Sequence, residues 1–161
     1  MKSFEELGLS KNLLKTIEEI KFNEPTEIQE KVIPVALAGK DVIGESATGS
    51  GKTLAFGAPI IEKVERGNGL QALILTPTRE LTEQVSKSLI EFSKYKSLRI
   101  VSIYGGVSLG PQIESLRRAD IAVGTPGRIL DHLARRTMDL SKVRFLVLDE
   151  ADRMLDMGFF H

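Results

Sequence analysis

The sequence predicts an α/β fold built on a parallel sheet. Short apolar runs alternate with stretches of helical periodicity, the spacing of βαβ units. Ala72-Leu73-Ile74-Leu75 is apolar throughout, as a strand covered on both faces must be. Polar and glycine-rich clusters directly follow the apolar runs, at the strand ends where open α/β sheets bind ligands.

The elements follow in order. Ser10 is placed to cap a first helix whose apolar stripe is Leu13, Leu14, Ile17 and Ile20, and Asn23-Glu24-Pro25 breaks it. Thr26-Glu27-Ile28-Gln29 opens a second helix as a capping box. That helix should run toward Leu37, with Pro34 kinking or shortening it and Gly39 as its stop. The pair Val42-Ile43 reads as a short strand entering the loop Ser46-Ala47-Thr48-Gly49-Ser50-Gly51-Lys52-Thr53, and a helix leaves the loop toward about Arg66. After the turn Gly67-Asn68-Gly69 comes the strand at Ala72–Leu75, then a helix from Thr76-Pro77-Thr78-Arg79-Glu80 with Leu81, Val85, Leu89 and Phe92 on one face. Ile100–Tyr104 is the next strand, ending at Gly105-Gly106, and a helix from about Ser108 to Arg118 precedes the strand Ile121-Ala122-Val123. Thr125-Pro126-Gly127-Arg128 opens another helix, with Thr as cap and Pro at its first position. The last strand, Phe145-Leu146-Val147-Leu148, runs into Asp149-Glu150-Ala151-Asp152.

At 161 residues the chain is long enough for one domain with its own core. Its 22 basic and 22 acidic side chains balance, so binding to nucleic acid must come from a local surface rather than a global field. The lack of cysteine excludes disulfides and thiolate metal sites and suits a reducing, cytoplasmic setting. No apolar stretch reaches membrane-spanning length.

The loop at Ser46 to Thr53 has the chemistry of a phosphate cradle. Glycines turn backbone N–H groups inward and the following helix offers its positive end. Lys52 supplies charge for the outer phosphates, and the Thr53 hydroxyl can ligate Mg²⁺. Ser46 stands where the general pattern has glycine. Asp149 and Glu150 suit a metal held through water and a positioned nucleophilic water. A pair of acids favoured at a helix N-terminus is the plain structural alternative.

Asp149-Glu150-Ala151-Asp152 spells the tetrad of the DEAD-box RNA helicases, and the other clusters resemble that family's motifs in order. Phe22 with Pro25-Thr26-Glu27-Ile28-Gln29 resembles its adenine-recognition motif, and Phe4 stands at its isolated upstream aromatic. The loop at Ser46 to Thr53 resembles its phosphate loop, which carries a small residue in place of the first glycine. The resemblance implies a RecA-like parallel sheet with helices on both faces, covering residues 1–161 as an amino-terminal ATP-binding domain. It implies ATP and Mg²⁺ as cofactors, with Phe22 stacking on the base and Gln29 reading the adenine edge. Lys52 would contact the β and γ phosphates, Thr53 and Asp149 would hold the metal, and Glu150 would position water. Asp152 would link nucleotide state to the other motifs. Pro77, Thr78, Arg79, Gly105, Gly106, Thr125, Pro126, Gly127 and Arg128 would follow an RNA backbone without reading its bases. The chain departs from the family pattern at Lys21, where glycine is usual, and at Thr82, where alanine is usual.

The paired arginines Arg117-Arg118 and Arg135-Arg136 read as helix C-terminal cations, and His132 as a surface helix residue rather than a metal ligand. Past the tetrad the chain ends at Phe159-Phe160-His161. The resemblance implies a Ser-Ala-Thr strand and a second RecA-like domain beyond this point. Without that strand the sheet is expected to hold a central gap with unpaired edges, so that the chain is marginal alone, rearranges, or recruits a strand from a second copy. The expected function is the ATP-binding part of an RNA-dependent ATPase that hydrolyses ATP to ADP and phosphate while locally unwinding RNA. Such a fragment would bind nucleotide with little turnover of its own. Two alternatives stand beside it: a non-catalytic module that binds nucleotide or RNA as it is, and a P-loop small-molecule kinase.

Overall fold

The computed structural model describes residues 2–45 and 49–156, with Gly49 and Ser50 described by backbone alone. The chain divides into two compact units, one of residues 1–64 and 88–97 and the other of 65–87 and 98–161.

The first unit is helical. Helix α1 (Lys11–Glu19) is capped by the Ser10 hydroxyl, which accepts from the Leu13 N–H, and it buries Leu13 and Ile17. Helix α2 (Glu27–Leu37) starts at Thr26 with both bonds of the capping box in place. Pro34 lies inside α2 without shortening it; the Ala38 N–H still reaches the Pro34 carbonyl. Helix α3 (Gly49–Lys63) packs along α2 and ends before the expected Arg66. Gly57 permits the approach of the end of the next helix, since a Cβ there would stand 2.8 Å from Leu89 Cδ2.

Helices α1 and α2 end alike. The Phe22 N–H reaches back to the Ile17 carbonyl and the Lys21 N–H to that of Glu18, a Schellman pattern that puts the residue past the cap in the left-handed region. After α2 that residue is Gly39, at φ 81°; after α1 it is Lys21, at φ 64°. The departure at Lys21 therefore falls where backbone geometry favours glycine.

One expected element is not formed. Residues 41–45 carry no strand, Val42 is exposed, and Ile43 is 99% exposed. Two apolar residues do not hold an extended segment without a ladder neighbour, and no described strand pairs with them.

The second unit holds a four-stranded parallel sheet of β1 (Ala72–Leu75), β2 (Ile100–Ile103), β3 (Ile121–Gly124) and β4 (Phe145–Leu148), in the order β2-β3-β1-β4. The connections are helical, as parallel crossovers require: α4 (Arg79–Phe92), α5 (Leu109–Leu116) and α6 (Pro126–Ala134), while α7 (Ala151–Asp156) follows β4. Leu73, Ile103, Leu116, Ala122, Ile129 and Met138 form its core. Central β3 is buried along its whole length, whereas β4 is an edge strand with Leu146 and Leu148 exposed. At Gly124 a Cβ would meet the Ile103 carbonyl oxygen at 2.5 Å, so glycine is what lets β3 end against β2. The parallel α/β sheet is the fold class that the alternation of runs predicts.

Candidate functional site

In the first unit the adenine and phosphate motifs are joined by one side chain. Gln29 is 1% exposed. Its Oε1 accepts from the Thr26 N–H at 2.9 Å and its Nε2 donates to the Gly51 carbonyl at 3.2 Å. The capping box thus continues into the phosphate loop. An amide has two donors and two lone pairs, so one of each remains beyond these bonds. Gly51 lies close against the cap, where a Cβ would stand 3.4 Å from the Thr26 side chain. Lys52 and Thr53 are the fourth and fifth residues of α3, Lys52 half-buried and Thr53 buried. That placement gives the loop a helix N-terminus, the end that favours anions. Ser46, Ala47 and Thr48 lie outside the described residues. Phe22 is half-buried with its ring centroid 6.5 Å from that of Phe92, and Phe4 is buried as a core residue.

In the second unit the sheet lines up the remaining motifs. Thr76, Thr125 and Asp149 extend the ladder past the strand ends, donating to the carbonyls of Gly124, Ile103 and Leu75 at 2.9 Å each. Across the carboxyl edge, following the strand order, stand Gly105-Gly106, Thr125 to Arg128, Thr76 to Glu80, and Asp149-Glu150. Neighbouring strands are roughly 4.8 Å apart, so these clusters share one row.

Within that row the two helices are capped differently. Thr78 caps α4, its hydroxyl accepting from the Leu81 N–H at 3.2 Å, while Thr76 is buried against Thr82 with hydroxyls 2.6 Å apart. Thr82, where the family has alanine, thus gives Thr76 a buried partner. Thr125 occupies the cap of α6 with Pro126 at the first position, as expected, but without a side-chain bond. Pro77 and Pro126 are buried; Arg79, Gly105, Gly106 and Gly127 are exposed. A Cβ at Gly105, Gly106 or Gly127 would meet nothing within 4 Å, and Gly106 has φ 82°. The surface there is open, as backbone contact by a strand of nucleic acid requires.

Asp149 is buried and Glu150 half-buried. Glu150 has φ 55°, a left-handed conformation uncommon for a residue with this side chain, and its carboxylate lies 3.9 Å from the Arg153 guanidinium. The described residues contain no cluster of three or more acidic, His or Cys side chains able to cage a metal. Hard oxygen donors few in number suit Mg²⁺, which takes most of its ligands from water and phosphate.

Three more residues of the second unit stand behind this row. Gln112 is buried on α5, Tyr104 follows β2, and His132 on α6 is fully buried rather than at the surface. The His132 ring is satisfied on both sides, by Gln112 Oε1 at 2.9 Å and Thr137 Oγ1 at 2.7 Å. Burial, with the Arg128 charge second, lowers its pKa from the ordinary 6.5. The readable signal was position: Gln112 lies between Leu109 and Leu116 on the apolar stripe of α5, and His132 three residues after Ile129 on that of α6. Arg117 and Arg135 stand at helix C-caps, as expected.

Comparison with known proteins bears on the family and the fold. The DEAD/DEAH box helicase family model matches residues 26–161. The chain is 52% identical over 161 residues to an ATP-dependent RNA helicase, CshA, of Listeria monocytogenes, covering 99% of this chain and 31% of that protein. It thus spans about a third of that relative's length. A DEAD box protein from the hyperthermophile Methanococcus jannaschii superposes with a TM-score of 0.95 at 50% identity, over 98% of this chain and 44% of the other. The RNA helicase Prp28 from Chaetomium thermophilum, bound to ADP, superposes with a TM-score of 0.89 at 43% identity, over 99% and 41%. The sheet is therefore RecA-like, and by its family match, its motif order and its fold the chain belongs to the DEAD/DEAH box helicase family.

Proposed function

We propose that this chain is the ATP-binding and RNA-contacting part of an RNA-dependent ATPase, one that hydrolyses ATP to ADP and phosphate while binding and locally unwinding RNA. The observation that carries the reading is the row of motif clusters along the carboxyl edge of β2-β3-β1-β4. In it Gly105, Gly106, Thr125, Pro126, Gly127, Arg128, Pro77, Thr78 and Arg79 receive a sugar-phosphate backbone. Asp149 and Glu150 at the end of the row serve the nucleotide. Zero net charge and open glycines support contact that is modest in strength and independent of base sequence.

On the nucleotide side, Gln29 offers its remaining N–H and lone pair to the adenine edge, and Phe22 packs on the base. Ser46 to Thr53 cradles the phosphates, with Lys52 on the β and γ groups. Thr53 and Asp149 would be the residues to hold Mg²⁺, since a hydroxyl and a carboxylate are the hard oxygen donors that this ion takes. When bound, the ion draws charge from the outer phosphates. Glu150 orients the attacking water, its carboxylate set by a backbone that the surrounding fold holds left-handed. Asp152 passes the nucleotide state to the RNA row. We place residues 1–161 in one amino-terminal ATP-binding domain that acts in the cytoplasm. No described helix is long and apolar enough to cross a membrane.

Turnover in related hydrolases leans on an arginine from another segment, worth about 10³–10⁵. The chain alone is therefore expected to bind ATP and ADP in preference to GTP, and to turn ATP over near background even with RNA. Phosphate-release kinetics with and without single-stranded RNA test this; robust RNA-stimulated turnover by the chain alone would overturn it. The edge of β4 that pairs with no described strand, with Leu146 63% exposed, further supports self-association through a second copy. Light scattering tests that part, and a strictly monomeric chain with a cooperative melt refutes it.

A further inference from the structure

The row of RNA-facing loops is braced from behind by a polar network whose centre is Gln112. The Gln112 amide makes three bonds. Its Nε2 donates to the Tyr104 carbonyl at 2.8 Å, and its Oε1 accepts from Arg128 Nη1 at 3.1 Å and from His132 Nε2 at 2.9 Å. The donor to a carbonyl and the acceptor to a guanidinium fix which way the amide faces. With Nε2–H spent on Gln112, the neutral His132 ring offers Nδ1 as an acceptor to the Thr137 hydroxyl, which also lies 3.1 Å from the His132 carbonyl oxygen as a donor. Thr137 is brought there by the left-handed turn at Arg136 that ends α6, whose Thr137 N–H returns to the His132 carbonyl at 2.9 Å.

The bonds of Gln112 run to two of the candidate RNA-contacting segments. Tyr104 immediately precedes Gly105-Gly106. Arg128 is the last residue of Thr125-Pro126-Gly127-Arg128, and its Nη1 and Nη2 also donate to the Val107 carbonyl just past the glycines, at 3.1 Å. A third segment joins through the Tyr104 side chain, since the Arg79 guanidinium lies 4.8 Å from the centroid of that ring. A guanidinium has five N–H groups, and the bonds to Val107 and Gln112 leave two of those of Arg128. They leave it pre-oriented rather than free to swing.

We propose that Gln112 is a positioning residue for RNA binding: with His132 and Tyr104 behind it, it holds the Arg128 fork, the Gly105-Gly106 turn and Arg79 in one fixed geometry for consecutive phosphates. Pre-orientation matters because an unheld arginine loses rotamer freedom on binding. The inference rests on the RNA-binding reading above, and the test separates the two.

The probe is a fluorescein-labelled oligouridylate read by anisotropy against the full chain, at several salt concentrations. Gln112→Met removes all three amide bonds while nearly conserving length and volume. It is expected to weaken binding about tenfold and to flatten the slope of log affinity against log salt by about 0.7, one phosphate contact. Leu116→Val on the same helix lowers stability without touching the amide, and should bind within about twofold of the parent. In an Arg128→Ala background, Gln112→Met should cost less than about twofold more, because the two act as one unit. Should Gln112→Met fail to fold, Arg128→Lys decides. A positioned fork predicts a loss close to that of Arg128→Ala, and a mere point charge predicts parent-like binding. A parent that binds while Gln112→Met binds equally, or while Leu116→Val loses as much, overturns the positioning inference alone. A parent that does not bind the probe, with Arg79→Ala unchanged from it, overturns the RNA reading and this inference with it.

Discussion

Gln29 is where fold and nucleotide recognition can be pulled apart by substitution. Were its role only that of a capping box, Gln29→Glu would be nearly neutral, since glutamate serves that position as well as glutamine. The bond to Gly51 predicts otherwise. In Gln29→Ala, the Thr26 N–H loses its acceptor and, being exposed, is rehydrated at a cost of about 0.5–1 kcal/mol. The buried Gly51 carbonyl loses its donor at about 1–3 kcal/mol, so the whole loss should be about 1.5–4 kcal/mol. With a urea slope of about 2 kcal/mol per molar, the unfolding midpoint falls by about 0.8–2 M. Gln29→Glu keeps the acceptor for Thr26 but sets a buried carboxylate oxygen against a carbonyl, and should be at least as damaging at neutral pH. Urea titration followed by far-ultraviolet circular dichroism measures both. A neutral Gln29→Glu beside a destabilised Gln29→Ala would refute the bond to the loop and leave the cap as the whole structural role. Competition of ATP against GTP for a fluorescent ADP, run where each variant is folded, reads the adenine role separately. Gln29→Ala should erase the preference for ATP.

The remaining predictions concern the backbone and one buried base. Lys21→Gly relieves a left-handed residue at the end of α1 and should raise stability by about 0.5–1 kcal/mol in the same titration; a loss would refute the strain argument. Gly124→Ala drives a Cβ into the Ile103 carbonyl and should cost about 1–3 kcal/mol with weaker RNA binding, because Thr125 follows directly; an unchanged melt would show that β3 can shift. His132, whose folded pKa lies below the ordinary 6.5, binds its proton more readily unfolded. Its contribution is therefore complete above about pH 6.5 and declines as pH falls through that value toward the folded pKa. Asp131 opposes the shift while Arg128 and Arg135 add to it. Melting temperatures of the parent and His132→Gln should converge as the pH is lowered from 7.5 to about 5.

Much of this was legible in the chain itself. The strands at Ala72, Ile100, Ile121 and Phe145 could be read because continuous apolar runs between helical periods have few other solutions. The capping box at Thr26 and the cap at Ser10 could be read because they are local, closing within three residues. Val42-Ile43 misled because a strand is a relation between segments, and apolar character alone supplies no ladder partner. His132 misled because its polarity suggested solvent, while its place three residues after Ile129 puts it on the apolar stripe of α6.

The residue order by itself determined the family, the parallel α/β class and the clusters proposed to carry chemistry. Each of these depends on spacing along the chain and on the side chains available. Only the tertiary structure decided that Gln29 ties the adenine motif to Gly51, that Thr82 gives Thr76 a buried partner, and that Gln112 stands behind the loops after β2 and β3. Those bonds join residues 22, 6, 8 and 16 positions apart, and the longest of them wait on helices and strands packing to bring the partners within 3.2 Å. Sequence pattern reports which groups want partners; packing chooses among the many that could serve.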